Sequence, residues 1–475
     1  MTPHLIMKAL ICLVATLCLS TSNVLGQSGS KGRTVLLNVD VLDVSNGMVV
    51  RNKAVIVEGQ VISAIVDASG FVPEPGDDIV AEGGFAMPGL VESHAHLLNH
   101  PWTSDGTLAS QYDWQATQEM LADLVAYGVT TVRDAGGPTE AAVQLRRLAA
   151  DGSFVAPEIK TAGRSLIQSS FTSPYFAPVF TPEEVAREIE WQALNGVDHI
   201  KIYSSFTPEM VSVAVEEAAK HGMPVFHHAG RTSWTEAARR GVAGVSHAAP
   251  WSNDYIAEAD LKDMRRFSLM QRVDWLDRID IGSDAVREMI AEMADRKVVN
   301  DVTLIAMHTK FFGDDLRWIE HPDLAEAPAA FVTGWKAFSF TANWTPDMYG
   351  EARAVWPKLQ AWVRALHEGG VLQTVGTDTP TPWIIPGVSM HDEMALLAEA
   401  GLPPVDILRM ATLNGAIGLG IDDRTGTLEP GKEADILLLG SDPTVQIGAT
   451  RDIRLVMMNG RIMVPREPLP AVTAR

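Results

Sequence analysis

Two histidines one residue apart, His94 and His96, close a stretch that begins at Met87 and reads as the end of a buried strand. Pro88 and Gly89 mark the entry to that strand, and the chain leaves it at Leu97. On a β-strand, side chains two apart project to the same face. Both imidazoles would then reach one metal ion. An isolated H-x-H pair is more often solvated or hydrogen-bonded than metal-binding, so this pair carries weight only with further ligands nearby.

Lys201 is the second signal. Strand alternation puts Val197, His199, Lys201 and Tyr203 on one face, with Ile200 and Ile202 on the other. A lysine inside a barrel is costly as a cation, and burial favours its neutral amine. A neutral amine can add carbon dioxide to become a carbamate (an N6-carboxylated lysine). That two-oxygen anion can bridge two divalent ions. The ordinary alternative is a lysine paired with an inward carboxylate.

These residues need elements to position them. From residue 87 the chain alternates apolar strands with amphipathic helices. Strands are expected over 87–96, 128–135, 158–166, 199–204, 224–229, 241–248, 298–307 and 371–379, with helices between them such as 208–221 and 235–241. Eight β/α units over this length predict an α/β protein, a (β/α)8 TIM barrel. The stretches 251–281 and 310–351 are longer than a connection needs and are expected to form extra helices or lids over the barrel mouth. In such a barrel the chemistry sits at the C-terminal strand ends. His94, His96, Lys201, one or both of His227 and His228, His247 and Asp378 all fall there. Each has an ordinary reading alone, but together they point to a metal site.

The flanks read differently. Residues 34–86 alternate β-branched residues with turn signals such as Asn46-Gly47. A helix is expected over 405–418, then an apolar strand over 436–439 and a hairpin turning at Asn459-Gly460. Pairing the two ends would hide their edges in a small β-sandwich composite domain, 34–86 plus 425–466, beside a catalytic barrel over 87–424. Residues 1–26 read as an export signal: Lys8 precedes an apolar run over 9–19 that is too short to span a bilayer. A flexible linker over 27–33 follows. The expected location is the periplasm or the extracellular space, with no stable membrane insertion after cleavage.

With 46% apolar and 20% charged residues among 475, the chain is globular. Its formal charge, 38 − 59 = −21, argues against nucleic acid or an anionic membrane as partner. The expected partners are a small-molecule substrate and, in a homo-oligomer, further copies of the chain. The only cysteines, Cys12 and Cys18, lie inside the export signal. A metal site must therefore be built from histidine, carboxylate or a modified side chain. No H-E-x-x-H, P-loop or dinucleotide fingerprint competes. Residues 244–248 miss the nucleophile-elbow pattern, with Ala248 in place of its last glycine.

The stretches PGLVESHAH, GVTTVRDAGG, VDHIKIY, PVFHHAG, GVSHA, GTDTP, ATLNGAIGLG and GTLEPGKEADILLL carry a resemblance that runs from about Thr34 to Val464. The chain resembles the metal-dependent amidohydrolases of the imidazolonepropionase-like branch. That resemblance implies one or two divalent ions, zinc first among them, held by His94, His96, Lys201, His228, His247 and Asp378. The family pattern Pro-Val-x-x-His-Ala selects His228 and turns His227 toward the helices. It implies hydrolysis of a C–N bond (amide, cyclic amide or dipeptide-like) by attack of metal-bound hydroxide, with Asp378 as proton shuttle. Tyr203 and His391 are candidates for contacting the oxyanion or the leaving group, and Arg164 for clamping a substrate carboxylate. The Lys201 strand continues through Ile202 into Tyr203-Ser-Ser-Phe206, not the glycine-rich continuation of peptidase-like members, so their substrates do not transfer. The same apparatus would serve a lactonase, esterase or phosphoesterase. A protein of another class, binding metal or solute without catalysis, is the remaining alternative.

Overall fold

The structure, a computed structural model, describes residues 32–98, 112–265 and 268–463. The expected export signal with Cys12 and Cys18, residues 27–31 of the expected linker, and residues 464–466 of the expected composite domain lie outside them.

The N-terminal segment forms β1 (Thr34–Asp43), β2 (Met48–Glu58), β3 (Val61–Asp67), β4 (Asp78–Glu82) and β5 (Phe85–Pro88). The middle of the chain forms β6 (Leu90–Ala95), β7 (Val129–Asp134), β8 (Glu158–Thr161), β9 (Ser165–Ile167), β10 (Phe176–Pro178), β11 (Ile200–Ile202), β12 (Val225–His228), β13 (Gly244–Ser246), β14 (Val299–Asp301) and β15 (Leu372–Thr374). The chain ends in β16 (Ile436–Leu439), β17 (Ile453–Met458) and β18 (Arg461–Met463).

Strands β6, β7, β8 and β11 to β15 form a parallel (β/α)8 TIM barrel. Backbone bonds close the ring between β6 and the segment after β15, from Ser93 N–H to Val375 O and from Asp378 N–H to His94 O. A bridge between Ala162 and His199 joins β8 to β11. The outer helices start where a hydroxyl can accept an orphan N–H: Thr181, Thr207, Ser233 and Ser283 each cap one.

The termini share an eight-stranded sheet, joined where β16 runs antiparallel to β5 with Leu438 opposite Ala86. Its own core includes Leu36, Val55, Ile62, Ile436 and Met457. Ile62 N–H donates to Lys432 O and Ala434 N–H to Gln60 O, so the chain just before β16 covers the free side of β3. Among the described residues, no helix is long and apolar enough to cross a membrane.

Three expected elements differ. The third barrel strand, expected over 158–166, breaks into β8 and β9. The seventh, expected over 298–307, ends at Asp301. Thr303 then takes a left-handed conformation (φ 46°), and the apolar run continues as the helix Leu304–Phe311. A short apolar run does not by itself separate strand from buried helix. The helix expected over 405–418 is two, Pro404–Met410 and Leu413–Leu419. The break turns Ala411 O toward Val91 N–H, tying the closing helices to the first barrel strand. The stretches 251–281 and 310–351 do form helices, among them Met270–Arg278 and Ala329–Ala337.

Candidate metal centre

Seven side chains meet at the C-terminal mouth of the barrel: His94, His96, Lys201, Tyr203, His228, His247 and Asp378 line one cavity of about 100 Å³. His94 and His96 point inward from the end of β6, as the alternation requires. His94 is 1% exposed, and its Nε2 is buried without a hydrogen-bond partner. Asp378 Oδ1 lies 3.5 Å from His94 Nε2 and 3.5 Å from His96 Nε2. His228 Nδ1 and His247 Nε2 are 3.0 Å apart. The Lys201 Nζ donates to Ser246 Oγ at 2.5 Å.

The strand ends are bent to bring this about. His247 (φ 76°) and Asp378 (φ 67°) both adopt left-handed backbone that a non-glycine residue avoids. Such conformations typically cost about 1–3 kcal/mol each and collect at functional sites. Gly376 permits the close pass of the last strand: a Cβ there would sit 2.8 Å from His94 Cβ.

Hydrogen bonds fix which imidazole nitrogen faces the cavity. His94 Nδ1–H donates to Asp301 Oδ1 at 2.7 Å, and His96 Nδ1–H to Gly136 O at 3.0 Å. His247 Nδ1 is bonded to Thr303 Oγ1 at 2.8 Å. The His94 Nε2 lone pair therefore faces the cavity, while His96 Nε2, 3.5 Å from Asp378 Oδ1, bonds that carboxylate, which raises the His96 pKa against the effect of burial. Burial holds His94 neutral, at about 4, and pushes His228 and His247 well below the ordinary imidazole range. Burial works against the Asp378 carboxylate, but the His96 bond and the surrounding imidazoles outweigh it and keep it ionised. Burial also lowers Lys201 to about 7, against the pull of Asp301.

Neutral imidazoles with bare nitrogens beside an ionised carboxylate suit a divalent cation. His94, His96 and Asp378 offer ligand atoms within 4.8 Å of one another, and so do His94, His247 and Asp301.

The remaining expected residues fall elsewhere. His227 does not line the cavity. Its two ring nitrogens are buried without partners, and burial lowers it to about 3. Arg164 lies in a neighbouring cleft, paired with Glu188 at 2.9 Å over the Trp191 ring. It is not at the mouth because it sits in the break between β8 and β9, where the backbone turns away. His391 is a correction of the same kind. It bonds Thr450 Oγ1 and Tyr127 O from the helix Val388–Glu399, so its ring joins that helix to the chain entering β7.

Two residues were not foreseen. Asp301 on β14 holds His94 and pairs with buried Arg133; burial alone would raise its pKa, but these partners hold it at about 2. Glu92 takes N–H bonds from His94 and Thr377, both at 2.9 Å, and so braces the first strand against the eighth. Glu92 has the same strand parity as His94 and His96, which was the available signal. For Asp301 the signal was a carboxylate inside a mostly apolar run, 298–307, whose other polar residues are Asn300 and Thr303.

The model of the amidohydrolase family matches residues 85–270 and 302–463. The chain belongs to the amidohydrolase family. Ochratoxinase from Aspergillus niger is 22% identical over 90% of this amidohydrolase and 86% of that protein. Imidazolonepropionase from Streptococcus pyogenes is 27% identical over 35% of this chain and 38% of its own. Among solved structures, a Xaa-Pro dipeptidase with bound methionine superposes with TM-score 0.67 at 20% identity, covering 91% of this amidohydrolase and all (100%) of that chain.

Proposed function

We propose that this amidohydrolase is a metal-dependent hydrolase that cleaves a C–N bond of an amide, cyclic amide or dipeptide-like substrate. The observation that carries the reading is the buried, unpartnered Nε2 of His94 facing an ionised Asp378 shared with His96. His94, His96, Lys201, His228, His247 and Asp378 would hold one or two divalent ions, zinc first among them, with Lys201 carboxylated if it bridges two. Such an ion supplies activation of water near neutral pH and polarisation of a carbonyl.

The protein's own groups do the rest. Asp378 takes the proton of the attacking water and returns it to the leaving nitrogen. Tyr203, whose ring lies 4.5 Å from that of His228, offers its hydroxyl to the developing oxyanion. Arg133 and Asp301 hold the His94 tautomer, and the helices over the mouth limit water. The relatives' names, ochratoxinase, imidazolonepropionase and dipeptidase, support C–N chemistry.

The test is turnover by metal-replete protein on N-acyl amino acids, dipeptides, cyclic amides, lactones and phosphoesters, with metal content measured alongside. Carboxylate release from an amide, lost on chelation and restored by zinc, is the expected result. Turnover of lactones or phosphoesters alone would move the protein to the alternative hydrolase classes. Stoichiometric metal with no turnover would make it a binding protein.

A further inference from the structure

The metal cavity continues outward into a second one of about 310 Å³, sharing His96, Tyr203, His228, His247 and Asp378 with the first. Its outer wall comes from the helices Met270–Arg278 and Leu304–Phe311, and each contributes one cation, Arg272 and Lys310. Around them the wall is largely apolar, with Leu269, Met307 and Phe340.

Neither cation has an anionic partner among the described residues. One Arg272 nitrogen touches the Met307 sulfur at 3.1 Å, and the guanidinium lies 5.2 Å over the Trp251 ring. Lys310, 9% exposed, donates to Ala306 O and lies 5.0 Å over the Phe340 ring. A guanidinium offers five N–H donors and an ammonium three, so most of their capacity is unused. The nearby Arg265 is an informative contrast, because it is paired with both Asp274 and Glu351. In a chain of formal charge −21, carboxylates to neutralise a cation are plentiful. Two cations left without one, in a largely apolar cavity that opens on the proposed metal ligands, carry a desolvation cost that a bound anion would relieve. Burial lowers both pKa values, that of Lys310 to about 8, while the Asp378 carboxylate pulls the other way on each.

We propose that Arg272 and Lys310 bind a carboxylate of the substrate, so that the substrate class is N-acylated amino acids and related acidic amides. This rests on the metal centre being where the substrate reacts. It assigns specificity to the two segments inserted over the mouth. Arg272 gives the planar, two-donor contact and Lys310 a point charge.

The test separates anion recognition from turnover. Benzenesulfonylglycine and its carboxamide differ only in the carboxylate, and neither has a hydrolysable amide at the scissile position. Their binding to the metal-replete protein is measured by calorimetry. The acid is expected to bind at least about tenfold tighter than the carboxamide, with the difference shrinking at high salt. Arg272→Met and Lys310→Met should each reduce that ratio, and Arg272→Lys should keep part of it; thermal melts check folding. Equal affinity for acid and carboxamide, including no binding of either, overturns the proposal. So does a ratio unchanged in both Met variants. A preserved ratio in a protein that hydrolyses nothing would refute the hydrolase reading and leave anion recognition standing. Hydrolysis of amides with no preference for the acid would do the reverse.

Discussion

Asp301→Asn is the perturbation that probes the metal centre most directly without touching a residue proposed to act on substrate. The carboxylate is 2% exposed and serves four donors. It accepts from His94 Nδ1 at 2.7 Å, from Arg133, from Ser246 Oγ at 3.3 Å and from His247 N–H at 3.2 Å. Asparagine can keep one oxygen toward His94, but its amide nitrogen then faces the Arg133 guanidinium, donor against donor. Arg133 is itself 2% exposed, with Phe226 stacked 4.2 Å away, so it would become an unpaired buried cation. Breaking a buried pair from one side costs about 3–5 kcal/mol. Losing the carboxylate that orients a ligand histidine costs about 10–100-fold in metal affinity. Urea unfolding reads the first quantity, and zinc competition against a chromophoric chelator reads the second. The double variant Asp301→Asn/Arg133→Met separates them: stability should largely return, because the stranded cation is gone, while zinc affinity stays low. If Asp301→Asn unfolds within about 0.5 kcal/mol of wild type and binds zinc as tightly, the inferred role of this carboxylate is wrong.

Four further outcomes are expected. Lys201→Ala should lose at least one bound ion, and reconstitution of the wild type should be slower and less complete without bicarbonate; equal reconstitution in bicarbonate-free buffer would rule out a bridging carbamate. Asp378→Asn should keep most of the metal and lose about two orders of magnitude in turnover, which single-turnover rates with measured metal content will check. Glu393 is buried, and burial pushes it up to about 8 from 4.5, despite bonds from the Ile305 and Leu304 N–H groups. Between those values the folded chain keeps a proton that the unfolded chain releases, so this group makes stability fall as pH rises. Glu393→Gln, which turns one acceptor into a donor, should be less stable by about 1 kcal/mol at pH 5 and should close the gap toward pH 8; urea midpoints that shift in parallel at every pH would contradict this. Export predicts a mature N-terminus near Gln27, and Edman sequencing of protein from the native host that reads from Met1 would refute it.

The sequence determined the parts that depend on local geometry. Strand periodicity is a short-range property, so it set the inward faces of His94, His96 and Lys201 without any tertiary information. Counting β/α units identified the barrel, and the ends of those units gave the His227-His228 pair, His247 and Asp378 as neighbours at one mouth, with the family resemblance selecting His228 of the pair. The need to cover sheet edges foretold that the two termini would pair. What the tertiary structure alone decided depends on how strands distant in sequence face one another across the barrel. Asp301 lies 207 residues from His94, and nothing local to either states that they touch. The break between β8 and β9 took Arg164 out of the mouth, and a carbonyl and a hydroxyl from other elements claimed both nitrogens of His391. The helix break at Ala411 serves a bond to Val91, a demand from outside the helix that propensity does not register. Arg272 and Lys310 come from segments with no motif, and only folding those segments over the barrel puts two cations, without an anionic partner among the described residues, beside the residues proposed to hold metal. Side-chain direction is set within a few residues, whereas partnership is set by closure of the barrel, and the site needs both.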